Sequence, residues 1–204
     1  EGLDRKLGWL PPALARIGTE AAAKEAVDRF LVSRSAPSNQ EAYALVLLGA
    51  RAIPFMLERA RCDPGCADNT HYLLSAVLAR MGPERAAAGP GLMRIASDRN
   101  ASAQAVQGAL VMIASLGREG SALEADLLRE REQTPYLSRW IADALVGIHS
   151  TQAGLIFAER LAEAPDGHTL SDLAELGALG RAAGPAVVSV LEREPGLRTE
   201  AVAA

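Results

Sequence analysis

Aromatic side chains are scarce in this 204-residue chain, at 4% of positions, although 49% of its residues are apolar. A core of that composition has to be built from Ala, Leu, Val and Ile, and side chains so small suit closely stacked helices. Lysine is nearly missing, because the 21 basic residues are Lys6, Lys24 and nineteen arginines. With abundant Ala and Gly, that bias points to a GC-rich bacterial genome. A basic excess is missing as well: the formal net charge is −4, whereas a chain that wraps nucleic acid ordinarily carries a basic footprint. No apolar run reaches the roughly 18 residues that a transmembrane helix needs, so the sequence holds no candidate membrane span. The Gly-x-Ser-x-Gly, His-Glu-x-x-His and phosphate-cradling Gly-loop patterns are absent, which leaves no recognisable catalytic motif.

What is present is a repeat. The phrase of a small or apolar residue, then Leu, Ile or Met, then Gly recurs at Ala15-Arg16-Ile17-Gly18, Leu47-Leu48-Gly49, Ala79-Arg80-Met81-Gly82, Ser115-Leu116-Gly117 and Ala178-Leu179-Gly180. The glycines are 31, 33, 35 and 63 residues apart, the last step being two repeats with an imperfect copy at Val146-Gly147-Ile148-His149 between them. Periods of that size signal a stacked array. Before each glycine the apolar residues are spaced by three and four, as in Tyr43, Val46 and Leu47 or in Leu73, Leu74, Val77, Leu78 and Met81, which predicts helices with one buried stripe. After it comes a short turn and a second periodic stretch, opened in three copies by Pro54, Pro90 and Pro185, a residue suited to the first helical turn.

Breaker clusters separate the pairs: Ala36-Pro37-Ser38-Asn39, Cys62-Asp63-Pro64-Gly65-Cys66, Asp98-Arg99-Asn100, Thr134-Pro135, Ala164-Pro165-Asp166-Gly167 and Glu194-Pro195-Gly196. The expected helix pairs are therefore 11–33, 38–62, 67–97, 101–133, 135–164 and 169–194, with residues 197–204 opening a further helix. The pattern resembles the HEAT-repeat family, particularly its short bacterial, lyase-type members, and the second and sixth pairs match best. The resemblance covers nearly the whole chain. It implies one all-α domain over residues 1–204, a right-handed α-solenoid of about six antiparallel helix pairs. The family contains scaffolds and adaptors, and also lyase relatives and DNA glycosylases, so fold alone does not name the function. A first residue of Glu1 rather than Met is expected of an excised domain or a processed chain.

In such a solenoid the second helices line the concave face. Registered on the proline position, they present Asp28, Glu58, Arg94, Arg129, Glu159 and Ser189, and further along Arg61, Ser97, Glu132 and Glu192. The ridge is mixed in sign. A groove for a phosphate backbone would be consistently basic, so a protein or peptide partner is expected and nucleic acid is not. Glu58, Arg61, Arg94, Arg129, Glu132 and Glu159 are the candidate partner-binding residues. Arg51, Arg85, Arg118 and Arg181 follow the glycines and are expected to cap first-helix carbonyls or bridge to the neighbouring repeat, the alternative being a bidentate grip on carboxylates or phosphates.

The Asp-Pro-Gly turn between Cys62 and Cys66 can bring the two thiols to disulfide distance. A staple, two reduced cysteines and a metal or redox site all stay open. A bridge would favour export, and reduced thiols a bacterial cytoplasm. Cys62, Cys66 and His71 lack a closely spaced fourth ligand, which argues against zinc. His149 stands where other copies have Gly, His168 lies in a loop, and Trp9 and Trp140 read as core or capping residues. The sequence thus predicts a non-enzymatic interaction scaffold without cofactor. The alternatives are a HEAT-like enzyme or enzyme accessory of the lyase or DNA glycosylase type, and an exported inhibitor or immunity-type protein.

Overall fold

The computed structural model of the chain describes residues 10–32, 39–61, 69–163, 173 and 177–194. Among them every regular element is helical. Eleven α-helices follow one another: α1 (Leu10–Ile17), α2 (Glu20–Val32), α3 (Asn39–Leu48), α4 (Ile53–Ala60), α5 (Thr70–Arg80), α6 (Gly89–Ala96), α7 (Ala103–Ala114), α8 (Glu124–Gln133), α9 (Ser138–Gly147), α10 (Gln152–Glu163) and α11 (Gly184–Arg193). The first ten fall two by two into the intervals expected from the sequence, to within a residue, and α11 lies in the sixth.

Local chemistry explains where helices begin. Ser102, in extended backbone at ψ 150°, accepts the Ala105 N–H at 3.2 Å on its Oγ and caps α7, and Thr19 does the same for Ala22 in α2. Pro54, Pro90 and Pro185 sit in the opening turns of α4, α6 and α11 as expected, where a missing N–H leaves no carbonyl unsatisfied. The connections after Gly82 and Gly117 are 3-10 helices over Pro83–Ala88 and Gly117–Leu123.

The first helix of each interval packs on the first helix of the next, α1 on α3, α3 on α5, α5 on α7 and α7 on α9. A single buried cluster runs from Ala23 to Val190 beneath them, with Leu45, Leu74, Leu78, Leu110, Ile113, Ile141 and Leu145 fully covered. Each such Leu or Ile contributes about 1.5–3 kcal/mol by leaving water. Among the described residues only Phe30 and Phe157 bring fully buried phenyl rings to it, in keeping with the paucity of aromatics.

Two expectations need correction. Tyr43 and Leu47 are not on the buried stripe of α3: they are 51% and 53% exposed, and the covered residues are Ala42, Ala44, Leu45 and Leu48. Leucine and alanine fill the tight space between helices, and the tyrosine is turned outward. The glycine ruler also slips. Left-handed backbone falls on Gly18, Gly49, Gly117, His149 and Gly177, whereas Gly180 lies inside a 3-10 helix (Gly177–Ala183) and Gly82 has φ −62°.

Candidate partner-binding ridge

The second helices are tied to one another by charge. From α4, Arg59 donates through Nε and Nη2 to Asp28 Oδ1 of α2, at 2.9 and 2.5 Å. Just beyond α6, Arg99 sets Nη1 2.8 Å from Glu130 Oε1 of α8 and donates from Nη2 to Gln133 Oε1 at 3.1 Å. From α8, Arg131 donates through Nη2 to Glu159 Oε2 of α10 at 2.5 Å and through Nε to Ser138 Oγ at 3.2 Å. At the α4–α6 junction the contact is apolar, because Leu57 of α4 lies against Gly91 of α6, in the space a β-carbon there would fill.

Glu130 is the buried member of this set, 4% exposed. A lone carboxylate at that depth would be costly, and three groups answer it. Arg99 supplies the charge, Gln133 anchors the same guanidinium, and Thr134 Oγ lies 2.9 Å from Glu130 Oε1 and 2.6 Å from the Glu130 carbonyl oxygen, to either of which it can donate. The C-terminal end of α8 is fixed as a result.

Around these links the predicted ridge divides. Glu58, Arg61, Arg94 and Glu132 are exposed, with Arg94 Nε only 3.5 Å from the Pro90 carbonyl oxygen of its own helix. Arg129 is exposed and pairs with Asp126 one turn back at 2.9 Å. Glu159 is occupied by Arg131, so it joins two helices and is less open to a partner than its exposure suggests. Glu58 follows Leu57 on α4, and Arg94 lies one turn beyond Gly91 on α6, both exposed.

Sequence reasoning passed over Arg59, Arg99 and Arg131, the arginines that make the links. A signal was there: each has an opposite charge 31, 31 or 28 residues away, close to one repeat. The turn arginines behave as expected where they are engaged. Arg51 Nη1 donates to the Gly18 carbonyl oxygen of the preceding interval at 2.8 Å, and Arg85 Nη1 to the Ala79 carbonyl oxygen at 3.0 Å. Between them Glu84 Oε2 accepts the Ala50 N–H at 3.0 Å, while Arg118 and Arg181 are exposed.

Cys62, Cys66, His168 and Trp9 lie outside the described residues. Trp140 packs partly buried on the core, as read from the sequence. Among the described residues no three His, Cys, Asp or Glu side chains converge as a metal site would require, and no helix is long and apolar enough to cross a membrane. What the ridge offers chemically is alternating fixed charge and hydrogen bonding on rigid helices. Comparison with protein-family models, with curated proteins and with solved structures gives no match.

Proposed function

We propose that the chain is a non-catalytic interaction scaffold, a HEAT-like right-handed solenoid of about six antiparallel helix pairs that binds a protein or peptide through its second-helix surface. The observation that carries this reading is the charge ladder Asp28–Arg59, Arg99–Glu130 and Arg131–Glu159. It holds successive second helices in register, while Glu58, Arg61, Arg94, Arg129 and Glu132 stand exposed beside it. Charges on a rigid ridge lose little conformational freedom on binding, so mixed-sign complementarity selects a partner at low entropic cost. The alternation of sign disfavours a uniform polyanion. First helices packed in sequence order support the array.

The test is charge reversal. The double variant Glu58→Arg, Arg94→Glu, immobilised beside the native chain, is exposed to extract of the source cells, and a captured protein is then purified and titrated against both. At least tenfold weaker binding to the variant is expected, with unchanged helicity and melting temperature. Equal binding to both chains removes the ridge as the partner surface.

A further inference from the structure

The outer faces of α3, α5 and α7 are nearly free of charge. Across Asn39–Leu48, Thr70–Arg80 and Ala103–Ala114 the only Asp, Glu, Lys or Arg residues are Glu41 and Arg80, whereas α8 alone carries six. These three helices are neighbours, α5 packing on both of the others. Away from the core each shows a stripe at helical spacing: Tyr43 and Leu47 on α3, Tyr72 and Ala76 on α5, Gln104 and half-buried Val111 on α7. Tyr72 is 61% exposed, more so than Tyr43 or Leu47. Exposed Arg80 ends the α5 stripe, and further charge stands at the margins, with Arg16 on α1 and Arg139 and Asp143 on α9. A tyrosine-bearing, charge-depleted centre inside a charged rim is the composition of an interface core rather than of a solvated helix face.

We infer that this first-helix face is a self-association surface, on which a second copy of the chain docks isologously through α3, α5 and α7. A second copy fits for three reasons. A two-fold interface sets a patch against itself, and a patch with almost no charge does so without the like-charge repulsion that the rest of a chain of net charge −4 would impose. Its polar groups are the hydroxyls of Tyr43 and Tyr72 and the amides of Gln40 and Gln104, and hydroxyls and amides both donate and accept, so each finds a partner in an identical surface. Size is sufficient too. Three helices about 10 Å apart and about 15 Å long present roughly 450 Å² of surface, so a pair of copies buries about 900 Å², in the range of weak, transient interfaces. The small side chain of Ala76, exposed beside Tyr72 on the central helix, lets two such helices approach closely. The proposal stands apart from the partner ridge, which lies on the second helices.

Sedimentation velocity on the full chain, from about 1 μM to about 1 mM, covers the affinities that an interface of this size supports. A monomer–dimer equilibrium is expected. The double variant Tyr43→Arg, Tyr72→Arg, which brings four like charges together across the two-fold, should weaken it at least tenfold while leaving the circular dichroism spectrum and melting temperature unchanged, since both rings are exposed. Ala76→Cys, on the central helix, should oxidise to a dimer whose peptide map joins position 76 of both copies. A native chain that stays monomeric throughout overturns the proposal. So does a dimer that survives both tyrosine substitutions, or one lost instead on reversing Glu58 and Arg94.

Discussion

The imidazole of His71 lies flat against Gly108, filling the space that a β-carbon on that residue would take. Its Nε2 is 3.0 Å from the carbonyl oxygen of Ala60, the last residue of α4, and since a carbonyl only accepts, Nε2 carries the proton. One buried ring therefore joins three helices: it rises from α5, ends α4 and packs on α7. Gly108→Ala would drive a methyl group into the ring. We expect a loss of about 1–3 kcal/mol, the usual range for overpacking, or a fall of roughly 2–12 °C in melting temperature for a domain of this size. In a His71→Ala background, where the ring is gone, the same substitution should cost much less. Thermal melts of the four chains in this double-mutant cycle give the coupling, and additive losses would show that the ring and Gly108 do not interact.

Glu130 gives a second prediction, because its burial makes the Arg99 link asymmetric. Arg99 is half exposed, but the carboxylate it serves is 4% exposed. Arg99→Ala leaves that carboxylate with Thr134 as its remaining partner, and a loss of about 1–3 kcal/mol is expected for an under-satisfied buried group. Arg129→Ala breaks a pair that is 64% and 46% exposed, and such surface pairs contribute only about 0–1 kcal/mol. Urea unfolding midpoints for the two variants should therefore be ordered with Arg99→Ala the lower. The reverse order would mean that Glu130 is not held by Arg99.

Much of the helix pattern was legible in the sequence because it depends on local chemistry. Proline at the opening of α4, α6 and α11, breaker clusters between intervals and apolar spacing of three and four all act within one turn of helix, and α1 to α10 fall two by two in the expected intervals. Tyr43 and Leu47 were misread because spacing alone shows that a stripe exists and not which of two adjacent stripes faces inward. Leu45 and Leu48 compete with them on the same helix, and the small gap between α3 and its neighbours decides the matter. The ladder was harder still. Arg99 and Glu130 are adjacent only once α6 and α8 are stacked, and no local signal distinguishes Glu130 from the exposed Glu132 two residues on.

Close approach of backbones sets the third prediction. A β-carbon on Gly147, near the C-terminal end of α9, would meet the Cα, carbonyl oxygen and Cβ of Ala114 at the end of α7. Two of those three are backbone atoms, so no rotamer change can make room. Gly147→Ala has to push α9 away from α7, against the fully buried Ile141, Leu145 and Ile113 packed between them. The gain of about 1 kcal/mol that alanine normally brings to a helix interior should be reversed, with a net loss of about 2 kcal/mol or more. Guanidinium unfolding measures it, and a neutral or stabilising result would show that the two helices are farther apart than described.

His149 closes the series because it is the one non-glycine residue in the left-handed region among those described, at φ 62°. It stands at the turn between α9 and α10, where Gly18, Gly49 and Gly117 serve the corresponding turns with φ of 65°, 55° and 59°. The turn geometry is therefore demanded by the fold and imposed on the histidine. The side chain is exposed, while the backbone N–H groups of His149 and Ser150 reach back to the Val146 and Leu145 carbonyl oxygens at 2.9 Å each, closing the helix end. Holding a residue with a β-carbon in that conformation costs about 1–2 kcal/mol, and glycine removes most of it while regaining some freedom in the unfolded chain. His149→Gly should accordingly stabilise by roughly 0.5–1 kcal/mol, and His149→Val, β-branched and poorly suited to positive φ, should destabilise by more than that. Differential scanning calorimetry of the two variants should move the melting temperature in opposite directions. A fall on substitution by glycine would mean that the imidazole makes a contribution larger than the strain it bears.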